Sequence, residues 1–252
     1  MNGEELKFDL VQPKDVIDQY IKIWNDGCND ENKDIVIFSN VKIDISDYKC
    51  IYNKKYNDYD DKEIKPCFDN LYKNRDDIEV YRKAVEKVDS IYNTMLNKKR
   101  DVTAANIFAN REEIFRKIVI IKNCNENGDI RKKLVDYIAC INKESGGSYI
   151  YSFATKFCSF MLEDTFPIFD SIVSTLVWKY LKENGIKCSH DKMGDYGYYL
   201  DRYRDFIKQY DLEGYTYKNI DVFLWLYGKI MTEYWEKIGV IRFSSVYYKS
   251  PK

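Results

Sequence analysis

The stretch GGSYIYSFATKFCSFMLEDTFPIFDSIV, Gly146 to Val173, decides how this chain is built. Gly146 and Gly147 are its paired-glycine break, and glycine ends helices because it gives up more backbone freedom in them than other residues do. Tyr149 to Leu162 then reads as a buried helical turn and helix. Thr165-Phe166-Pro167 ends that helix, since the residue before a proline is driven into extended backbone. Asp170-Ser171 opens a new helix as its cap, with a core stripe of Val173, Leu176, Val177, Tyr180 and Leu181 and a stop at Gly185.

The same helical period extends in both directions. Val16, Ile17, Tyr20, Ile21 and Trp24 follow Pro13, which suits a first helical turn, so a helix runs to about Asn25. From Ile78, the residues Tyr81, Ala84, Val85, Val88, Ile91, Tyr92 and Met95 mark a long helix. It is expected to end near Lys98, Lys99 and Arg100, where cations suit a carboxyl end. Asn110 and Glu113 resemble a capping pair before Ile114, Phe115, Ile118 and Val119. Leu134, Ile138, Ala139 and Ile141 mark the next helix. Beyond Gly185, Tyr198, Leu200, Tyr203 and Phe206 lie on one helix, and Ile220 to Ile238 forms a strongly apolar last one. Residues 27 to 65 are acidic and only briefly apolar, in IVIF and VKIDI, and read as an irregular arm with a short hairpin. The tail VIRFSSVYYKSPK reads as a short strand or a surface segment.

The expected fold is therefore all-α: a multi-helix globular domain over residues 66 to 252, with an N-terminal helix and acidic arm over 1 to 65 packed on it. Composition agrees. The 252 residues are 45% hydrophobic, with 23 Tyr and 13 Phe but only 11 Gly and 4 Pro, which favours long helices over turn-rich β architecture. Net charge is −1, so any polyanion surface must be a local patch. The 7 cysteines are dispersed with no C-x-x-C pair, which argues against a disulfide framework or a zinc site and for a reducing, cytoplasmic setting. No stretch approaches a membrane span, and the opening MNGEELKFDL is not a secretory leader, so no membrane partner is expected. His190 is the one histidine, which removes His-rich metal sites. Walker and dinucleotide glycine loops are absent.

One pair carries chemistry. Lys156 lies on the helix after the glycine break and Asp170 at the amino end of the next, and two helices with a short connection return toward each other. A lysine amine becomes a nucleophile when burial or a carboxylate handles its proton, and an aspartate can stabilise a cationic sugar. Those are the needs of N-glycosidic bond cleavage through an imine.

On these residues the chain resembles the helix-hairpin-helix DNA glycosylases of the endonuclease III and 8-oxoguanine glycosylase type. Ser152-Phe153-Ala154-Thr155-Lys156 is similar to the family's hairpin of the form Leu-Pro-Gly-Val-Gly-x-Lys, and Pro167-Ile168-Phe169-Asp170 to its proline-led aspartate segment. Ser152 and Ala154 stand where the family has glycines. The likeness covers about 25 residues and implies a glycosylase with lyase activity, a DNA partner, Lys156 and Asp170 as catalytic residues, and Ser152, Ala154 and Thr155 at the DNA backbone. No iron–sulfur cysteine cluster follows, so it points to the cluster-free 8-oxoguanine branch and implies no cofactor and no metal.

Phe223 and Trp225 on the last helix are candidates to line a base pocket, as aromatic faces hold extruded bases by stacking. Cys158 reads as core. Lys98, Lys99, Arg100, Arg111, Arg131, Lys132 and Lys133 are candidates to hold phosphates. The rival expectation is a non-catalytic DNA-binding or protein-interaction module on the same helical scaffold, for instance in bacterial defence.

Overall fold

The computed structural model describes residues 9–46, 48, 60–123, 128–143 and 145–237. The expected tail VIRFSSVYYKSPK and most of the stretch from 47 to 59 lie outside the described residues. What is described is mostly helical, 67% helix when short 3-10 and π turns are included, with ten α-helices and one two-stranded sheet. In chain order these are α1 (Pro13–Asp26), β1 (Asp34–Phe38), β2 (Val41–Asp44), α2 (Lys65–Lys73), α3 (Ile78–Tyr92), α4 (Arg100–Ala109), α5 (Arg111–Asn123), α6 (Gly128–Ala139), α7 (Tyr151–Met161), α8 (Ser171–Glu183), α9 (Tyr196–Gln209) and α10 (Tyr217–Lys237). Among the described residues, no helix is long and apolar enough to cross a membrane.

The backbone divides into two compact units, and the chain passes between them more than once. One comprises Met1–Tyr56, Ser171–Cys188 and Asp205–Val246; the other comprises Asn57–Asp170, Ser189–Arg204 and Tyr247–Lys252.

In the first unit, α1 starts on Pro13 and turns its buried Ile17, Tyr20 and Ile23 toward α10. Tyr20 meets Phe223 and Tyr227 edge-on at ring distances of 5.3 and 5.9 Å, the arrangement aromatic quadrupoles favour. The apolar runs IVIF and VKIDI form the antiparallel hairpin β1–β2, with Ile35 opposite Ile43 and an irregularity between Val36 and Phe38. The Tyr227 hydroxyl donates to the Ile37 carbonyl at that irregularity, at 2.6 Å, which satisfies a buried acceptor where the ladder is interrupted. Gly228 lets α8 approach α10, because a Cβ there would lie 2.1 Å from Ile172 Cγ2 and 3.0 Å from Leu176 Cδ1. The expected stripe Val173, Leu176, Val177, Tyr180 and Leu181 is fully buried. Gly185, at φ 71°, ends α8 with its amide bonded to Lys182 and that of Ile186 to Leu181, a left-handed closure that suits glycine.

The second unit packs α2 through α7 and the start of α9. Asp77 caps α3 by accepting from the Glu79 amide at 2.9 Å. The helix ends at Asn93, in the left-handed region, so Met95 is not its last core residue but stands 75% exposed on the following loop. Lys98 and Lys99 lie in a short 3-10 turn ahead of α4, so this basic cluster sits at the amino end of a helix and not at a carboxyl end. What fixes the loop is Asp89, which sequence patterning leaves unremarked on the α3 core face. Its carboxylate is 3% exposed and accepts from Thr94 Oγ1 at 2.7 Å, the Leu96 amide at 2.9 Å and Arg100 Nε at 2.6 Å. The Asn110 side chain does not serve simply as a cap for Glu113: it accepts from the Tyr137 hydroxyl and donates to the Asn106 carbonyl, while Glu113 binds Arg116 and Lys117.

Candidate functional site

Between α6 and α7 the chain turns at Gly146-Gly147, held by Asn142. The Asn142 carbonyl accepts from the Ser145 and Gly147 amides, and its side chain bonds Thr103 and Asn106. A Cβ on Gly147 would fall 2.6 Å from that of Asn142, and Gly146 has φ 69°, so both positions suit glycine for steric reasons. The turn delivers Tyr149 and Ile150 to the start of α7.

α7 is apolar on nearly every side, and Phe153, Ala154, Phe157 and Cys158 are fully buried in it. Lys156 sits at its middle, 3% exposed. A buried ammonium needs donors' partners, and two are in place: Nζ donates to Ser152 Oγ at 3.0 Å and to the Phe169 carbonyl at 3.1 Å, with the Tyr92 ring centre 5.6 Å away. Ser152, one turn back, is exposed, and Tyr92 is half-buried, so the amine lies just under the surface.

After α7, Asp164 adopts a left-handed conformation at φ 58° and the chain reverses. Pro167-Ile168-Phe169 then runs buried and without regular secondary structure. Side chains supply its partners. Tyr196 donates to the Pro167 carbonyl at 3.2 Å, Tyr199 to the Ile168 carbonyl at 2.8 Å, and the Phe169 amide donates to Thr155 Oγ1 at 3.3 Å. With Lys156 on the Phe169 carbonyl, both polar groups of that residue are held by consecutive residues of α7. The next residue is Asp170, half-exposed. Peptide geometry puts its Cα at most about 6 Å from the lysine amine. Tyr151 and Tyr199 close over Phe169 at ring distances of 4.8 and 5.2 Å, and Tyr149 lies parallel to Tyr151.

The surroundings are charged on one side. The Tyr149 hydroxyl donates to Asp136 at 3.3 Å, and burial together with Asp136 pushes that phenol well above its ordinary pKa. Lys132 bridges Asp136 and Asp195. Burial alone would raise Asp195, but bonds from Lys132 and from the Tyr198 and Gly197 amides hold it below the usual carboxylate value. Cys158 is free and burial drives its thiol far up, so it stays protonated, as core cysteines do. Burial lowers the pKa of His190, which lies on a 3-10 turn of the same unit.

The remaining expected residues fall as follows. Ala154 and Thr155 lie inside α7 and are fully buried, so their amides belong to the helix and are not offered to a phosphate. Phe223 is a core residue of the other unit, stacked on Tyr227 at 5.5 Å and fully buried, which leaves no face for a base. Trp225, also in that unit, meets Trp24 edge-on at 6.1 Å with Lys229 over its ring. Of the basic candidates, Arg100 is engaged by Asp89, Arg111 by Asp76, Lys132 by Asp136 and Asp195, and Lys133 by Asp129, while Arg131 is buried. Lys98 and Lys99 stay exposed, and Lys99 reaches Ser148 Oγ at 3.2 Å. No group of His, Cys, Asp and Glu that could hold a metal occurs among the described residues. Sequence reasoning gave Tyr196 and Tyr199 no part in holding this segment, where their hydroxyls bond its carbonyls and the Tyr199 ring packs on Phe169.

No protein-family model matches the chain. No solved structure matches it. A Haemophilus influenzae protein, described as uncharacterized, is 33% identical to it over 138 residues, which is 53% of this chain and 64% of that protein. The match thus spans less than two thirds of the relative's own length.

Proposed function

We propose that this protein is a DNA glycosylase with lyase activity in which Lys156 is the nucleophile and Asp170 its partner. One observation carries the reading: a buried lysine whose amine bonds the carbonyl of Phe169, the residue directly before Asp170. A lysine amine that has passed its proton to a base can attack a sugar carbon. In base removal the amine lone pair forms a bond to C1′ as the C1′–N bond breaks and its electrons leave with the base. On an abasic sugar the same amine adds to the C1′ aldehyde, water departs, and a protonated imine remains. Loss of a C2′ proton then expels the 3′ phosphate by β-elimination. Asp170 stabilises the cationic sugar and takes part in moving the proton. Exposed Lys98 and Lys99, the latter tied to the Gly146-Gly147 turn through Ser148, offer the local positive charge a phosphate backbone needs.

The test is borohydride reduction on an abasic duplex. The hydride fixes the imine as a secondary amine, and the expected adduct maps to Lys156 and is lost in Lys156→Gln. A folded protein that binds the duplex yet yields no adduct on abasic or damaged DNA refutes the reading. The 3% exposure of Lys156 favours one alternative, a non-catalytic helical module in which the lysine is a structural tie to Phe169. That alternative predicts no adduct, and a loss of stability in Lys156→Gln as the main effect.

A further inference from the structure

We infer that Thr155, Tyr196 and Tyr199 are positioning residues that hold the Asp170-bearing segment in register with the Lys156 amine. The inference rests on the glycosylase reading for its catalytic consequence. Its structural basis is separate. Pro167-Ile168-Phe169 is buried and lies outside helix and strand, and a buried backbone group without a partner is costly. The Tyr196 and Tyr199 hydroxyls take two of its carbonyls, and Thr155 Oγ1 receives its last amide. Thr155 Oγ1 itself donates to the Ser152 carbonyl at 3.1 Å, which leaves an oxygen lone pair directed to Phe169. Lys156, the next residue, completes the set on the Phe169 carbonyl. The amine and the carboxylate are thus related through one residue, Phe169, held at both its amide and its carbonyl. A slip of that residue moves Asp170 relative to Nζ without changing either reacting group.

These residues act through Asp170 and Lys156, so their loss should change the rate of the covalent step and not the hold on DNA. Single-turnover formation of the borohydride-trapped adduct is measured on an abasic duplex against protein concentration, for wild type, Thr155→Val, Thr155→Ser, Tyr196→Phe and Tyr199→Phe. Thr155→Val and Tyr199→Phe are expected to lower the maximal rate by about 10- to 100-fold, as misplacement by a fraction of an ångström to one ångström does. The half-saturating concentration should stay within about 2-fold, and Thr155→Ser, which restores the oxygen, should recover most of the rate. Tyr196→Phe is expected to act in the same direction. Maximal rates at the wild-type level in Thr155→Val and Tyr199→Phe overturn the inference, as does a loss confined to the half-saturating concentration. Each Tyr→Phe change removes a single oxygen, so it serves where Thr155→Val fails to fold. Amide exchange at Phe169 is followed in parallel. If wild type forms no adduct, the glycosylase reading falls. Faster Phe169 exchange in Thr155→Val then still supports the grip, and unchanged exchange overturns it.

Discussion

Replacing Asp89 by asparagine removes a charge from the α3 core face while preserving the shape of the side chain. In the native protein Oδ1 accepts from Thr94 and from the Leu96 amide, and Oδ2 accepts from Arg100. An asparagine oxygen can keep the first two bonds, but its NH2 faces the Arg100 guanidinium donor to donor. The loss is therefore one charge-assisted bond, and Arg100, with its side chain 40% exposed, can turn to water. That places Asp89→Asn at about 1 to 2 kcal/mol of destabilisation. Asp89→Ala also strands the Leu96 amide and should cost about 3 kcal/mol, the lower end of the range for breaking a buried pair. Burial alone would raise the carboxyl's pKa, and the bonds from Thr94, Leu96 and Arg100 outweigh it, so the group is held below its ordinary value. A depressed carboxylate contributes stability above its unfolded pKa of about 3.9, which is lost as pH falls through the folded value. Urea unfolding at neutral pH and again below pH 4 should show the wild-type advantage shrinking in acid. The reasoning fails if Asp89→Asn matches wild type within about 0.5 kcal/mol at neutral pH, or if the gap between them widens on acidification.

Three further outcomes follow from packing. Gly228→Ala gains about 1 kcal/mol of helix propensity but must push Ile172 aside, an overpacking cost of about 1 to 3 kcal/mol, so chemical denaturation should show a net loss; a gain would mean α8 and α10 are not so close. Tyr227→Phe leaves the buried Ile37 carbonyl without its 2.6 Å bond and should destabilise by about 1 to 2 kcal/mol in the same measurement, a neutral effect arguing against that contact. Cys158 should be the slowest described cysteine to alkylate in native protein and should react only on unfolding, as peptide mass spectrometry can follow; early labelling would contradict its burial.

The features legible in the sequence are those with a local cause. Pro13, the stripe from Val173 to Leu181 and the stop at Gly185 each act through neighbours within a turn or two, and each appears where periodicity and backbone chemistry put it. Met95 continues the helical period of α3 yet stands on a loop, because Asn93 takes a left-handed conformation and Asp89 gathers the loop behind it. Periodicity counts apolar residues and has no access to such a polar anchor. The SFATK segment resembles a hairpin in its wording, whereas the turn lies earlier, at Gly146-Gly147, and SFATK lies within α7. Lys156 and Asp170 could be singled out because their types carry chemistry. Tyr196 and Tyr199 act 29 and 31 residues beyond the carbonyls they bond, and in a chain this rich in tyrosine no local pattern assigns them that role.

The side-chain grip on Pro167-Ile168-Phe169 makes this segment unusually editable. In an ordinary sheet the backbone bonds itself, so few substitutions other than proline can delete a single rung. Here three rungs end on a threonine and two tyrosine hydroxyls, each removable by one near-isosteric change elsewhere in the chain. The placement of Asp170 can therefore be tuned one bond at a time without altering a residue of the segment itself, a handle open equally to sequence drift and to an engineer.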